Sequence, residues 1–430
     1  MRAMPNKTIS LPYGDGEMTC AVAESRVVRV LRPSPPQVET LPESEWIRRA
    51  LARPIGSVPL SALARGKGNV VVLTSDHTRP VPSRLTLPPL LDEIRRGAPD
   101  ARITVLIGVG SHRATTRAEM EAKFGADFVA RERIVNHDPL DAAGLVSLGA
   151  LPSGGELVLN RMAVEADLLV ADGFIEPHQF AGFSGGRKSV LPGIAGMASV
   201  LASHNAEFTV HPASRPGSLE GNLFHADMLY AARKAGLAFI LNVALSPEKR
   251  VIAAFAGEME KAHLEGCAFV MEHAGVAAAP APIVLTSNGG YPLDQNIYQA
   301  TKSIMTADLT CAEGGVIVAV NECRDGHGAP AFYEDFRRNE ASPDAILAEI
   351  EARGRDGTKP EQWVTQLTAS ILRRRRVVFV SAAPRAIVEA FGMRHAATLA
   401  EGLAEAERLV GDRAAPITVL PDAVSLVVRG

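Results

Sequence analysis

The sequence has few cysteines, few aromatic residues and no large excess of charge of either sign. Its four cysteines, Cys20, Cys267, Cys311 and Cys323, include no CxxC pair, which argues against a disulfide scaffold and against a thiolate zinc site. Aromatic residues make up only 5% of the chain. Lys and Arg number 45 against 48 Asp and Glu, a net charge of -3. The basic surface of a dedicated nucleic-acid-binding protein is therefore not expected.

Long apolar runs are also missing. The best one, 235–245, is interrupted by Asn242 and is shorter than the roughly 18 residues that cross a bilayer. The N-terminus lacks the apolar core of a secretion signal. We therefore expect a cytoplasmic protein with no nucleic-acid or membrane partner, as a monomer or small homo-oligomer. At 430 residues and 47% hydrophobic content, the chain predicts two or three ordinary folded domains.

Apolar segments of strand length alternate with helical patterns. The continuous apolar segments are 68–74, 101–108 and 166–171. Helices are predicted between them at 88–96, where paired prolines fit the first turn, and at 116–124. Strands that are apolar throughout and alternate with helices are typical of a parallel sheet covered on both faces. The sequence therefore predicts an α/β fold.

Small residues and prolines at 274–282 predict a linker. Strands and helices alternate again beyond it. We predict an N-terminal α/β domain over residues 1–273, opened by a flap of short antiparallel strands, and a C-terminal α/β domain over 283–430. Both would have mainly parallel sheets covered by helices, with the active site in the cleft between the domains.

Polar residues collect just after the predicted strand ends, where α/β sheets bind their ligands. The first loop carries Asp76, His77, Thr78 and Arg79 in sequence. Its guanidinium and hydroxyl groups suit a carboxylate or a phosphate. A turn with a structural Arg–Asp pair is the alternative. The second loop carries His112 after a G-x-G that lacks the third glycine of a dinucleotide fingerprint.

The third loop, 176–193, is rich in glycine, hydroxyl groups and cations. It approaches a phosphate-binding P-loop, but Arg187 stands before Lys188 where that motif needs glycine. Like-charge proximity to Arg187 favours a neutral amine on Lys188, which suits covalent attachment of a cofactor. His178 lies in the same loop. His204, in a helical pattern, is by itself more typical of a structural histidine.

A last motif follows a strand of the second domain. Tyr298 and Lys302 are spaced i and i+4 on one helix, with Gln299 bordering the same face. A capped amphipathic helix with a solvated lysine explains this spacing equally well.

Taken together, these motifs resemble the nickel-pincer lactate racemase family. The resemblance rests on DHTRPVPS, the GVGSHR loop, EPHQFAGFSGGRKSVLPGIAG, SHN and NGGYPLDQNIYQATK, and covers about residues 70–305. It implies a racemase or epimerase of a 2-hydroxy acid, lactate-like or larger. It also implies a nickel-pincer nucleotide, a Ni(II) pyridinium-3,5-bisthiocarboxylic acid mononucleotide, and cofactor-synthesis proteins as maturation partners.

The resemblance also implies residue roles. Lys188 would hold the nucleotide covalently and His204 would bind its nickel. The cofactor would be lined by Asp76, His77, Thr78 and Arg79. The substrate would be oriented by Arg79, Tyr298, Gln299 and Lys302, with Trp363 as a further pocket wall. His112 and His178 would be the paired acid/base groups.

The implied reaction takes the hydrogen from the substrate α-carbon as hydride onto the cofactor, while one histidine takes the hydroxyl proton. Return of hydride to the other face of the planar keto acid, with the second histidine as acid, inverts the centre. Two other classes stay open. One is a carrier that holds a phosphorylated cofactor without turnover, and the other is a kinase or triphosphatase.

Overall fold

The fold is described from a computed structural model, which describes residues 5–34, 41–246 and 248–429. The chain divides into two compact units. The first unit comprises Pro35–His204 and His211–His273. The second unit comprises Met1–Ser34, Asn205–Val210 and Ala274–Gly430. Among the described residues, no helix is both long enough and apolar enough to cross a membrane.

The strands differ widely in length. In chain order they are β1 Asn6–Tyr13, β2 Gly16–Ala23, β3 Val27–Val30, β4 Asn69–Ser75, β5 Arg102–Gly108, β6 Arg133–Asn136, β7 Leu145–Ala150, β8 Glu156–Asn160, β9 Leu168–Phe174, β10 Pro177–His178, β11 Gly182–Phe183, β12 Leu237–Leu245, β13 Val251–Gly257, β14 Gly275–Ala277, β15 Ala281–Ser287, β16 Cys311–Val320, β17 Arg376–Val380, β18 Arg394–Ala396, β19 Ile417–Leu420 and β20 Val427–Arg429.

The helices alternate with these strands through most of the chain. In chain order they are α1 Glu43–Ala52, α2 Leu60–Leu63, α3 Ser83–Gly97, α4 Arg117–Phe124, α5 Ala126–Arg131, α6 Arg161–Val164, α7 Met197–Ser203, α8 Ala206–Val210, α9 Leu223–Lys234, α10 Met259–Ala274, α11 Ile297–Asp308, α12 Pro330–Arg338, α13 Pro343–Arg353, α14 Gln362–Leu372, α15 Arg385–Glu389 and α16 Leu399–Val410.

The first unit is built on a six-stranded sheet in the order β13-β12-β9-β4-β5-β6. All its pairs are parallel except β12 with β13. All seven residues of β9 are buried, as expected of a strand covered on both faces. The core of this unit packs helix residues such as Leu87 and Leu90 of α3 against Val70 and Val72 of β4. The α/β fold with mainly parallel sheets is thereby confirmed for this unit.

The second unit has a parallel six-stranded sheet in the order β18-β17-β16-β15-β19-β3. The two units differ from the predicted domains in residues 1–34. The sequence assigns this segment to the N-terminal domain, whereas the structure assigns it to the second unit. In the structure β3 pairs in parallel with β19. Ile9 and Leu11 of β1 pack in one cluster with Ile283 and Leu285 of β15. The flap is thus antiparallel only in its first two strands.

Three local boundaries also differ from the sequence expectation. Helix α3 begins at Ser83, so Pro88 and Pro89 lie inside it and not in its first turn. The prolines remove the intrahelical partners of the carbonyls of Arg84 and Leu85, and both of these residues are exposed. The predicted linker contains β14, which pairs with β20.

The third difference concerns β9. The sequence predicted a strand that ends at Ala171, with Asp172 in the following loop. The strand continues to Phe174, because Asp172, Gly173 and Phe174 pair with β12. Asp172 is therefore a residue of the strand and not of a loop, and it is buried.

Candidate active site

The order of the strands in the first unit places the three polar loops at one edge of the sheet. From β4 the chain moves outward to β5 and β6, and it later returns to place β9 on the other side of β4. The point between β4 and β9 is therefore where the strand order reverses. Ligands of open α/β sheets bind at such a point, outside the carboxyl ends of the strands.

A cavity of about 140 Å³ lies at this edge. Its lining draws on all three loops and includes Asp76, Arg79, His112 and Lys188. The backbone of glycine-rich stretches in the second and third loops completes it. The structure thus brings together four of the site residues predicted from the sequence.

Asp76 and His112 form a short polar contact in the site. His112 Nδ1 lies 2.6 Å from Asp76 Oδ2, and the other carboxylate oxygen accepts bonds from the backbone N–H and the hydroxyl of Thr78. Burial acts to raise the pKa of Asp76, but the hydrogen bond and charge of His112, the charge of Arg79 and the hydrogen bond from Thr78 together lower it. An ionised carboxylate holds the proton on Nδ1, so that Nε2 of neutral His112 carries the lone pair.

The remaining residues of the first loop point in different directions. Arg79 lines the cavity and donates to the Thr78 hydroxyl at 3.0 Å. His77 instead faces Thr115, at 3.4 Å, and Glu119, at 3.7 Å. Burial lowers the pKa of His77 against the opposing charges of nearby carboxylates. Of the four residues of this loop that are predicted to line the cofactor, Asp76 and Arg79 line the cavity, whereas His77 and Thr78 do not.

His178 lies on a small hairpin formed by β10 and β11. Its Nδ1 accepts the backbone N–H of Ala181 at 3.3 Å and that of Phe180 at 3.5 Å. The return strand needs glycine at position 182, where φ is +77° and a Cβ would lie 2.3 Å from the Ser218 carbonyl oxygen. His178 is thus oriented by backbone donors, whereas His112 is oriented by a carboxylate.

Arg187 is almost completely buried, although the sequence indicated only a neighbour of Lys188. Its guanidinium donates to the carbonyls of Ala181 and Phe183 at 2.7 and 2.9 Å. It also contacts His225 and His263 at 3.1 and 2.9 Å. Burial lowers the pKa of Arg187 to about 10. This side chain therefore holds the shape of the loop from inside, and Lys188 is the member of the pair that reaches the cavity.

His204 follows α7 and is 4% exposed. Its Nδ1 lies 2.9 Å from the Val200 carbonyl oxygen and 3.0 Å from the Ser203 hydroxyl. Burial lowers the pKa of His204 to about 3, with the charge of Lys188 acting in the same direction. A carbonyl acceptor requires the proton on Nδ1, so the lone pair lies on Nε2, which is the form that binds metals.

A buried acid, Asp172, and a partly buried amine, Lys123, were not predicted from the sequence. Asp172 accepts the hydroxyls of Thr74 and Thr86 at 3.1 and 2.6 Å, and burial raises its pKa. Lys123 of α4 donates to the carbonyl of Arg79 at 2.8 Å. In the sequence Asp172 directly follows the apolar segment 166–171, and nothing local marked Lys123 as its neighbour.

The other predicted substrate residues lie on the second unit. Tyr298, Gln299 and Lys302 belong to the first two turns of α11, and all three are partly exposed. Asn296 caps this helix by accepting the backbone N–H of Gln299 at 2.9 Å. The ring of Tyr298 packs edge-on against Phe332.

Trp363, predicted as a further pocket wall, is 7% exposed in α14. Among the described residues, no group of three or more His, Cys, Asp and Glu side chains is placed to hold a metal ion.

Comparison with known proteins places the chain in a family. A family model described as the lactate racemase N-terminal domain matches residues 13–217, and one described as the lactate racemase C-terminal domain matches residues 276–428. The chain belongs to the lactate racemase family. A lactate racemase from Thermoanaerobacterium thermosaccharolyticum is 49% identical over 98% of this chain and 99% of its own length. One from Lactiplantibacillus plantarum is 44% identical over the same shares.

The fold of the lactate racemase family is likewise confirmed. The solved lactate racemase apoprotein from Thermoanaerobacterium thermosaccharolyticum superposes with a TM-score of 0.95, covering 99% of this chain and 100% of that one. The match to the N-terminal domain model ends at residue 217, and the match to the C-terminal domain model begins at residue 276. The second boundary falls in the segment 274–282, where the sequence predicted a break between domains.

Proposed function

We propose that this protein interconverts the enantiomers of a 2-hydroxy acid, with lactate as the first substrate to test. The proposal rests on membership of the lactate racemase family, whose named relatives are 44 and 49% identical over nearly the whole chain. The observation that carries it is the single cavity that holds both Lys188 and the Asp76–His112 pair. An amine for covalent attachment and a held acid/base group thus face the same space.

We also propose a nickel-pincer nucleotide on Lys188, with nickel bound by His204. The residues present fit such a group. His204 is buried, neutral and oriented through Nδ1, as a single imidazole ligand must be. Lys188 lines a cavity bordered by backbone of the glycine-rich third loop, which suits a phosphate-bearing ligand. When bound, the cofactor supplies the electrophilic centre that accepts and returns the substrate hydride.

The chain itself moves the hydroxyl proton. Neutral His112 accepts that proton at Nε2, and the imidazolium so formed lies against the Asp76 carboxylate. His178 is the second acid/base group in this proposal and serves the opposite enantiomer. Arg79, Gln299 and Lys302, assisted by Tyr298, are proposed to bind the substrate carboxylate and hydroxyl. Proteins that synthesise the cofactor are proposed as maturation partners.

The test uses protein produced together with the cofactor-synthesis proteins. We expect an adduct on Lys188 by intact mass, bound nickel, and interconversion of single-enantiomer 2-hydroxy acids with little solvent deuterium at the stereocentre. His112→Ala and His178→Ala should keep the adduct and nickel but lose turnover. Retained turnover in both variants would remove the assigned mechanism.

The carrier alternative makes a different prediction. A protein that only holds a phosphorylated cofactor would carry the adduct and nickel, yet would show no turnover with any enantiomer tested. Turnover of ATP that depends on Lys188 and Mg²⁺ would instead indicate a triphosphatase. Neither outcome is expected, because neither class needs an imidazole held by a buried carboxylate in the same cavity as the lysine.

A further inference from the structure

Phe180 contacts three side chains to which the proposed function gives a chemical role. The centroid of its ring lies 4.6 Å from that of His178 and 5.4 Å from that of His204. The ammonium nitrogen of Lys188 lies 5.9 Å from the same centroid. One apolar ring therefore adjoins the proposed acid/base group, the proposed metal ligand and the proposed cofactor lysine.

The position of this ring is closely determined. Phe180 is 4% exposed and packs against Phe224 at a centroid distance of 4.7 Å. Its carbonyl accepts a hydrogen bond from the Asn222 side chain at 2.8 Å. Because both the ring and the backbone are held, Phe180 can transmit its orientation to its neighbours.

The two imidazoles meet this ring in the same geometry. The planes of His178 and His204 make angles of 80° and 87° with it. Edge-to-face contacts of this kind are favourable and depend on ring orientation. Hydrogen bonds at Nδ1 fix one end of each imidazole, and the Phe180 ring opposes rotation about that end.

We propose that Phe180 is a positioning residue that sets the planes of His178 and His204 together. The proposal rests on the function proposed above, since it gives His178 and His204 their roles. A phenylalanine that only filled the core would affect stability and leave the geometry of both imidazoles unchanged. The two roles therefore predict different results when the ring is removed.

The first test compares Phe180→Leu with Phe239→Leu, both as matured enzyme. Phe239 is completely buried in β12 of the same unit, so the control loses the same ring at a similar burial. We expect Phe180→Leu to keep the Lys188 adduct, to shift the visible absorption bands of bound nickel, and to lower kcat about 10- to 100-fold. KM should change less. Phe239→Leu should reduce stability but keep the wild-type spectrum and kcat.

The second test uses apoprotein and needs no cofactor. Ring ¹⁵N shifts of labelled histidines report tautomer and hydrogen bonding, and His178→Gln and His204→Gln identify the two signals. Phe180→Leu should change the ring ¹⁵N chemical shifts of both His178 and His204, and Phe180→Met serves the same purpose if the leucine variant does not fold. Phe239→Leu should change the shifts of neither histidine. Unchanged nitrogen shifts, or a wild-type nickel spectrum and kcat, would overturn the inference. Wild-type protein without adduct and nickel would count against the proposed function. The ring ¹⁵N shifts of the apoprotein would still decide whether Phe180 positions the two histidines.

Discussion

At the scale of single residues, the site depends on how a buried carboxylate is compensated. Asp76 is 2% exposed, and an isolated charge at that depth is costly. Its compensation comes from His112 and from two donors of Thr78. The same contacts that make the charge tolerable also fix the tautomer of His112. Stability and acid/base chemistry therefore depend on one interaction.

Replacing Asp76 with Asn tests this dependence. Asn can still accept from Nδ1 through its one carbonyl oxygen, but it carries no charge to stabilise the imidazolium and it loses the acceptor that faces Thr78. We expect kcat for 2-hydroxy acid interconversion to fall about 100-fold or more, with the Lys188 adduct retained by intact mass.

The control for this variant is Asp167→Asn. Asp167 is an exposed carboxylate of the same unit that accepts the N–H groups of Gly68 and Asn69. It should lose some stability and keep wild-type kcat. An Asp76→Asn enzyme with unchanged kcat would show that His112 does not need the charge.

Lys123 gives a pH dependence of stability with a defined sign. Burial lowers its pKa to about 8, against the opposing charges of Asp172 and Asp76, whereas an unfolded lysine has a pKa of about 10.4. Between these values the unfolded chain binds more protons, so the contribution of Lys123 to the free energy of unfolding rises as pH rises through this window. Across the whole window the contribution is on the order of 3 kcal/mol.

Lys123→Met should remove this rise. Urea unfolding of both proteins at about pH 7.5 and pH 9.5 measures it, because subtraction cancels groups common to both proteins. The variant should lose about 1–2 kcal/mol of the increase seen in wild type between these pH values. An identical pH dependence in the two proteins would mean that Lys123 is not buried as a neutral amine.

At the scale of elements, the third loop is held by side-chain hydrogen bonds to its backbone more than by secondary structure of its own. β10 and β11 are two residues each. Arg187 holds two loop carbonyls from within. Asn222, at the start of α9, donates to the carbonyls of Phe180, Ala213 and Ser218. The loop can therefore keep its shape while presenting glycine backbone and Lys188 to the cavity.

Asn222→Asp tests the three hydrogen bonds that the Asn222 amide donates to these carbonyls. The side chain of Asn222 also accepts the backbone N–H of His225 as the cap of α9, and Asp preserves that acceptor. The amide donor becomes an oxygen that faces three carbonyls, so we expect a loss of about 2–4 kcal/mol in chemical unfolding.

Asn296→Asp is the matched control, since Asn296 caps α11 through the same acceptor. Its change should stay within about 0.5 kcal/mol. Equal losses in the two variants would mean that the loss at Asn222 comes from capping and not from the three donated hydrogen bonds.

At the scale of the whole molecule, the sequence predicted what depends on local pattern and missed what depends on distant pairing. Apolar segments located β4 and β5 to within one residue at each end. The motifs located His112 and Lys188, which the fold then brought to one cavity. The continuation of β9 depends on pairing with β12, and the partnership of Lys123 depends on α4 packing beside the first loop.

The assignment of the N-terminal strands shows the same limit. β3 pairs with β19 across about the whole length of the chain, and no local signal in residues 1–34 indicates that partner. Alternating polarity predicted strands there, but it could not say which sheet they join. Two units built from interleaved segments should also differ in which strands loosen when one core is damaged.

Leu11→Ala and Leu241→Ala test this organisation as a pair. Both leucines are completely buried, Leu11 in the core with β15 and Leu241 in the core of the first unit. Each truncation should cost about 2–5 kcal/mol. Hydrogen exchange followed by mass spectrometry should then show faster exchange in β15, β16 and β19 for Leu11→Ala, and in β4, β9 and β12 for Leu241→Ala. If Leu11→Ala instead loosened β4 and β9, the N-terminal strands would belong with the first unit after all.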